Sequence, residues 1–322
     1  MPPIPRRSFV AAVAGAALLP LHQARAAAFP DKPIRLIVPY PPGGGGDTQS
    51  RMLATALAAD LGQPVLVDNR AGANGALGSR AVAMAPADGY TLLFTTATQL
   101  LLTPLMSADS GFTAADFTPV AGMSSQQMII AVPAASPLRT MADLVQRGKS
   151  PEAKVSYGSA GIGSLSHITG ERLNAAAGTH YLHVPYKGTG QLMTAILSGE
   201  VDYTYVVGSA AAGHLKAGTL RALAVVDKVR APSLPDVPTV KEAVGLDGFT
   251  QTAWFGIVAP ARTPKPVVDL LAQKISAVFK RPEVRAKLEL ESAIAWPAGP
   301  DELAAVLKAD APVYADALKI IK

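Results

Sequence analysis

YPPGGGGDTQSR, residues 40–51, decides the fold. Before it, Ile34-Arg35-Leu36-Ile37-Val38 reads as a β-strand. After it, Met52, Leu53, Ala56, Leu57 and Leu61 recur at helical spacing. Asp47 stands where a helix cap is expected, and Gly62 ends the helix. The four glycines therefore form a strand-to-helix turn, and Pro64-Val65-Leu66-Val67 begins the next strand. Such a turn can cradle a phosphate, hold another anion, or only let the chain bend.

Working outward, the same grammar repeats. A Gly- and Asn-rich loop spans residues 69–78, a short helix is predicted over 79–84, and Tyr90 to Phe94 reads as a strand. Ser156-Tyr157 leads into GSAGIGS and a helix over 165–177. Tyr181 to Val184 leads into PYKGTG and a helix over 191–197, and Leu220 to Val226 is a further strand. Alternating strands and helices predict an α/β fold of mostly parallel sheets flanked by helices. MIIAVPAASPLRTMADLV (128–145) and WFGIVAPARTPKPVVDLL (254–271) share one plan of strand, proline and amphipathic helix. They are read as two crossings between lobes, a two-strand hinge. Lobe 1 is then 27–128 plus 250–322, and lobe 2 is 129–249.

The N-terminus reads as an export signal over residues 1–26. Arg6 and Arg7 precede an apolar run, Phe9 to Leu21, and Ala24-Arg25-Ala26 fits a cleavage site. RRSFV also resembles a twin-arginine signal, although Pro5 departs from that pattern. Removing Arg6, Arg7 and Arg25 from 29 basic residues leaves 26 against 24 acidic, a net charge of about +2. No Lys/Arg run with interleaved aromatics is present, which argues against nucleic acid. The chain has no cysteine, so disulfides, thiolate metal sites and a Cys nucleophile are excluded. After the signal no apolar run reaches ~18 residues, so membrane insertion of the mature chain is not expected.

Three strand-to-helix loops, PPGGGG, GSAGIGS and KGTG, are glycine-rich. Ligands of open α/β sheets bind beyond the carboxyl ends of strands, where helix-start N–H groups lack partners. Three such ends around one cleft would hold a carboxylate or phosphate, with hydroxyls of Ser159, Ser164, Thr98 and Thr189 as further donors. Any one of these loops would ordinarily do no more than satisfy turn geometry. A dinucleotide site fails because Thr48 stands where Gly or Ala is needed, and no Gly-Lys-Ser/Thr occurs. Tyr157 stands where a nucleophile elbow needs glycine. His180 and His183 fall on opposite faces of a strand, so no metal pair is expected, and His167 reads as a capping or packing residue. Trp254 and Phe255 open the second crossing strand, where one of them is placed to face a ligand. The apolar run TTATQLLLTPL (95–105), with Thr96, Ala97 and Thr98, reads either as core or as an apolar wall for a ligand's carbon skeleton.

FPDKPIRLIVPYPPGGGGD, VDNRAGANG, DGYTLLFTT, YGSAGIGSLSH, HVPYKGTG, SGEVDY, SLPDVPTVKE and WFGIVAP, in this order, resemble the Bug-type extracytoplasmic solute receptors of tripartite tricarboxylate transporters. The resemblance runs nearly end to end after the signal. It implies a two-lobed periplasmic binding fold of type II-like organisation with no catalysis and no cofactor. It also implies capture of a small organic carboxylate by a monomer, and delivery to membrane permease subunits or a sensor kinase. The implied ligand residues are Tyr40, Gly43, Gly44 and Gly45 of the first loop, and Ser159, Ala160, Gly161 and Ser164 of the second. Thr96, Ala97, Thr98, Lys187, Gly188 and Val207 complete the expected cleft. An exported α/β enzyme acting on small acids is the alternative. Val206-Val207 stand where many family members carry Asp-Asn, which disfavours a ligand ammonium. The expected ligand has one exposed carboxylate and an apolar or aromatic body.

Overall fold

The structure is a computed structural model describing residues 29–43, 45–290 and 293–321. The expected signal, residues 1–26, and Gly44 lie outside the described residues. The chain divides into two compact units, 1–31 and 32–322. Of the first, residues 29–31 are described; everything that follows belongs to the second.

β1 (Ile34–Val38) buries four of its five side chains and leaves Arg35 exposed. The glycine turn leads into α1 (Gly45–Leu61), whose Leu53 and Leu57 sit one turn apart in the core. β2 (Val65–Asn69) pairs in parallel with β1, Ile34 opposite Val65. α2 (Ala76–Ala83) begins three residues earlier than the sequence predicts, because Gly75 adopts a left-handed φ of 87° and turns the loop directly into the helix. β3 (Thr91–Thr96) lies parallel to β1 on its other side. A π-helical turn (Thr98–Leu102) and α3 (Thr103–Met106) follow.

β4 (Phe117–Pro133) is 17 residues long. Then come α4 (Met141–Gly148), β5 (Ser156–Ser159), α5 (Leu165–Ala177), β6 (Leu182–Pro185), α6 (Thr189–Ser198), β7 (Tyr203–Val207), α7 (Gly208–Lys216) and β8 (Leu220–Val225). The chain returns through α8 (Val240–Val244) to β9 (Thr252–Pro260), then α9 (Lys265–Lys280), α10 (Pro282–Leu290), β10 (Ala293–Ala295) and α11 (Pro300–Ile321).

Among the described residues the strands run β2-β1-β3-β9-β4-β7-β5-β6, with β8 and β10 also paired to β4. β4 is the shared member. Phe117 to Gln127 pairs antiparallel with β9, and Met128 to Pro133 pairs antiparallel with β7 and β8. Each half-sheet is thus mixed: three parallel strands (β2-β1-β3 and β6-β5-β7) joined to strands that run back against them. The two echoing segments hold equivalent places. MIIAVP is the part of β4 within the second half-sheet, WFGIVAP belongs to β9, which lies wholly in the first, and Pro133 and Pro260 end their strands.

One core cluster gathers Ile130, Val132, Tyr157, Tyr203 and Tyr205 on the second half-sheet. Another gathers Leu93, Leu100, Leu102, Trp254, Val258 and Tyr314 on the first. Leu100 and Leu102 are 0% exposed and Leu101 is 7% exposed. Of the two readings of TTATQLLLTPL, core burial therefore holds for its leucines, each stabilising by about 1.5–3 kcal/mol.

Candidate functional site

The candidate residues assemble as two clusters. The first surrounds the opening glycine turn. Tyr40 Oη lies 3.1 Å from Thr96 Oγ1, and the Tyr40 ring meets the edge of Phe94. Burial pushes the Tyr40 hydroxyl above its ordinary value, against the opposing effect of Thr96, so it stays protonated and can donate. Phe94 in turn packs on Phe255, and Phe255 Cε2 stands 4.0 Å from where a side chain on Gly45 would begin. Trp254, one residue earlier on β9, points into the core and donates to Asp310 Oδ2 at 2.9 Å. Phe255, not Trp254, therefore borders the turn. Ala97 is buried with the leucines, while Thr98 reaches Tyr314 Oη at 3.5 Å.

Asp47 is not the residue before the helix. It is the third residue of α1, and its carboxylate reaches back four residues to accept from the Gly43 N–H at 2.9 Å. The same carboxylate accepts from Asn69 Nδ2 and Arg51, tying the turn to the end of β2. Burial alone would raise its pKa. The bonds from Arg51, Gly43 and Asn69 outweigh that and hold it below the ordinary carboxylate range. Gly43, with φ 90°, thus has its N–H occupied, and Gly45 and Gly46 begin the helix behind it.

The second cluster is the loop from β5 to α5. Its backbone donors are met by its own side chains. The Ala160 N–H donates to Ser166 Oγ at 3.0 Å, Gly161 to Ser159 Oγ at 3.1 Å, and Gly163 to His167 Nδ1 at 3.1 Å. Ser164 caps α5 by accepting from the His167 N–H, and its hydroxyl is 3.0 Å from that of Ser166. The neighbouring β6–α6 loop is laced to it: the Gly188 N–H donates to Ala160 O, and the Lys187 N–H donates to Gln191 Oε1. Lys187 is exposed, and Val207 is half-buried at the end of β7 opposite Met128. Gly163 comes close to the first cluster's surroundings: a side chain there would begin against Met106 Sδ and 3.7 Å from Leu102 Cδ2. Sequence reasoning missed Ser166 and Met106 as neighbours of the site. It read His167 as a capping or packing residue, and that residue is buried in the loop's hydrogen bonding.

Ser159 Oγ lies 2.6 Å from His183 Nε2, which invites comparison with a hydrolase dyad. The hydroxyl, however, is fully buried and accepts from Gly161. Burial, with His167 stacked alongside, pushes His183 down to about 4, too weak a base to activate an alcohol near neutral pH. His180 does not join this group. Among the described residues no set of three His, Asp or Glu side chains could hold a metal, and no helix is long and apolar enough to cross a membrane.

Residues 49–305 match the family described as "Tripartite tricarboxylate transporter family receptor". The periplasmic binding protein BugD is similar in structure, with a TM-score of 0.78 at 32% identity, covering 91% of this chain and 98% of that one. A Rhodopseudomonas palustris protein with adipate gives 0.80 at 29% identity, with 91% and 98% covered. MatC of the same species, with bound malate, gives 0.78 at 29%, with 91% and 100% covered. These relatives share the two-lobed α/β fold, and they are binding proteins. The chain belongs to the tripartite tricarboxylate transporter receptor family, as a Bug-type solute-binding protein and not an enzyme.

Proposed function

We propose that this protein is exported through its N-terminal 26 residues to the periplasm. There it captures one small organic carboxylate and delivers it to membrane permease subunits or a sensor kinase. The lobes would be 27–128 plus 250–322, and 129–249, closing over the ligand. The observation that carries this reading is the pair of glycine-rich helix starts, at α1 and α5, each surrounded by hydroxyls. Gly45 and Gly46 open a 17-residue helix beside Tyr40 and Thr96, and Ser164 opens a 13-residue helix. Helix starts of this kind favour an anion without needing a cation. Adipate and malate in two structural relatives support the carboxylate class.

The ligand we propose carries one exposed carboxylate and an apolar or aromatic body. Phe255 beside Gly45, and Val207 at the end of β7, support an apolar body. A thermal-shift panel on residues 27–322 tests this, with aliphatic di- and tricarboxylates, amino acids, aromatic acids and nucleotides. A ligand at 100 times its Kd stabilises by ~2.7 kcal/mol. Citrate or aspartate binding best, with aromatic acids silent, would overturn the proposed ligand class. A nucleotide hit would overturn the carboxylate reading.

A further inference from the structure

His167 and His183 stack face to face, with centroids 3.8 Å apart and planes 10° apart. Tyr157 stacks on the outer face of His183 at 5.0 Å. Each imidazole addresses the β5–α5 loop through one nitrogen. His167 Nδ1 accepts the Gly163 N–H directly. His183 Nε2 meets the Ser159 hydroxyl, which in turn accepts the Gly161 N–H. We propose that His167 and His183 are positioning residues of this loop, which hold its two glycine amides in place and so set its affinity for a carboxylate. The inference rests on the reading of that loop as a ligand site.

The Gly163 contact demands an unprotonated His167 Nδ1. An imidazole accepts only through an unprotonated nitrogen, so His167 must carry its proton on Nε2. Protonating Nδ1 would set an N–H against the Gly163 N–H and break the bond. The surroundings disfavour charged rings: burial lowers both, and the stacked His167 further resists a charge on His183. The groups facing them are Glu171 on α5, whose carboxylate favours a charged His167 but is tied to the Tyr157 hydroxyl at 2.7 Å, and Tyr203 and Tyr205 on β7 around Tyr157. A loop fixed in this way pays its ordering cost before the ligand arrives.

The experiment follows the Gly161 and Gly163 amides and the imidazole nitrogens of ligand-free, 15N-labelled protein by NMR from about pH 8 to about pH 4. The Gly163 amide is expected to move with the His167 titration. His167→Leu should open that amide to exchange, whereas His167→Asn keeps an acceptor near the Nδ1 position and should preserve it. With adipate as the probe, His167→Leu and His183→Leu should each weaken binding about tenfold, the worth of one hydrogen bond. His167→Asn and His183→Gln should stay within about threefold of the wild type. Glycine amides indifferent to both imidazoles would overturn the proposal. So would Leu variants that bind adipate like the wild type while Ser164→Ala binds it weakly. If adipate ignores Ser164→Ala, or the wild type binds none, the ligand reading of the loop fails for that probe, and the amide titration still decides the positioning.

Discussion

Gln127 on β4 and Thr252 on β9 stand directly opposite in register and share one acceptor, the carboxylate of Asp227. Gln127 Nε2 donates at 3.0 Å and Thr252 Oγ1 at 3.4 Å, and Gln127 also reaches Val229 O at 3.1 Å. The segment after β8 therefore clips β9 to β4, the strand the two half-sheets share. Asp227→Ala removes both bonds to a charged, half-buried group. The expected loss is about 1–2 kcal/mol, read as a lower urea midpoint with an unchanged m-value.

Asp47→Ala strands three donors, from Gly43, Asn69 and Arg51, around a buried vacancy. The expected cost is about 1–3 kcal/mol, since the Gly43 and Asn69 donors lose a charged acceptor while the exposed Arg51 turns to water. The pH dependence has a definite sign. The folded pKa lies below the ordinary 3.8, so the unfolded chain binds more protons. The stability Asp47 contributes is complete above that ordinary value and is lost as pH falls through the folded one. Urea titrations across the acid range should show Asp47→Asn losing less stability than the wild type below about pH 4.

Gly163 has φ 75° and lies against Met106. Gly163→Ala should cost about 1–2 kcal/mol from the left-handed backbone alone, plus the displacement of a flexible methionine tip. Adding Met106→Ala to Gly163→Ala should relieve the second part and not the first. Equal costs in both backgrounds, measured by a double-mutant cycle, would show that the close approach contributes nothing.

Val207→Asp tests the ligand class. A carboxylate at the end of β7 should weaken binding of an apolar-bodied acid and admit amino acids, whose ammonium it can pair. The thermal-shift panel repeated on this variant should show aspartate or glutamate rising while aromatic acids fall. An unchanged ranking would place Val207 outside the pocket.

Much of the fold was legible where local pattern and tertiary demand agree. β1 and α5 fall on their predicted residues, because a buried apolar run, and a helix-forming segment that follows a glycine-rich turn, each specify themselves. The first part of β4 was not legible. FTPVAGMSSQQ mixes Pro, Gly and Ser in a way that no strand pattern predicts, and only its pairing with β9 makes it a strand. The same limit applies to the site. Glycine loops announced themselves, but the occupation of their N–H groups by Ser166, His167 and Ser159 depends on side chains folding back in three dimensions. Asp47 was assigned to the right turn with the wrong geometry, since spacing alone cannot tell a residue before a helix from one that reaches back out of its first turn.

The placement of β9 between β3 and β4 has a consequence for how this chain is made. Synthesis runs from the N-terminus, so β3 and β4 exist long before residue 260 leaves the ribosome. Until then the inner edges of the first half-sheet have nothing to pair with. The second half-sheet needs only residues 128–225 and can assemble earlier. Between residue 225 and residue 260 a nascent chain therefore carries one finished half and one open half. Open strand edges are what chaperones bind and what aggregates recruit. Truncation before β9 should leave a product held by chaperones or lost to aggregation, while a chain ending just after Pro260 gains the missing strand.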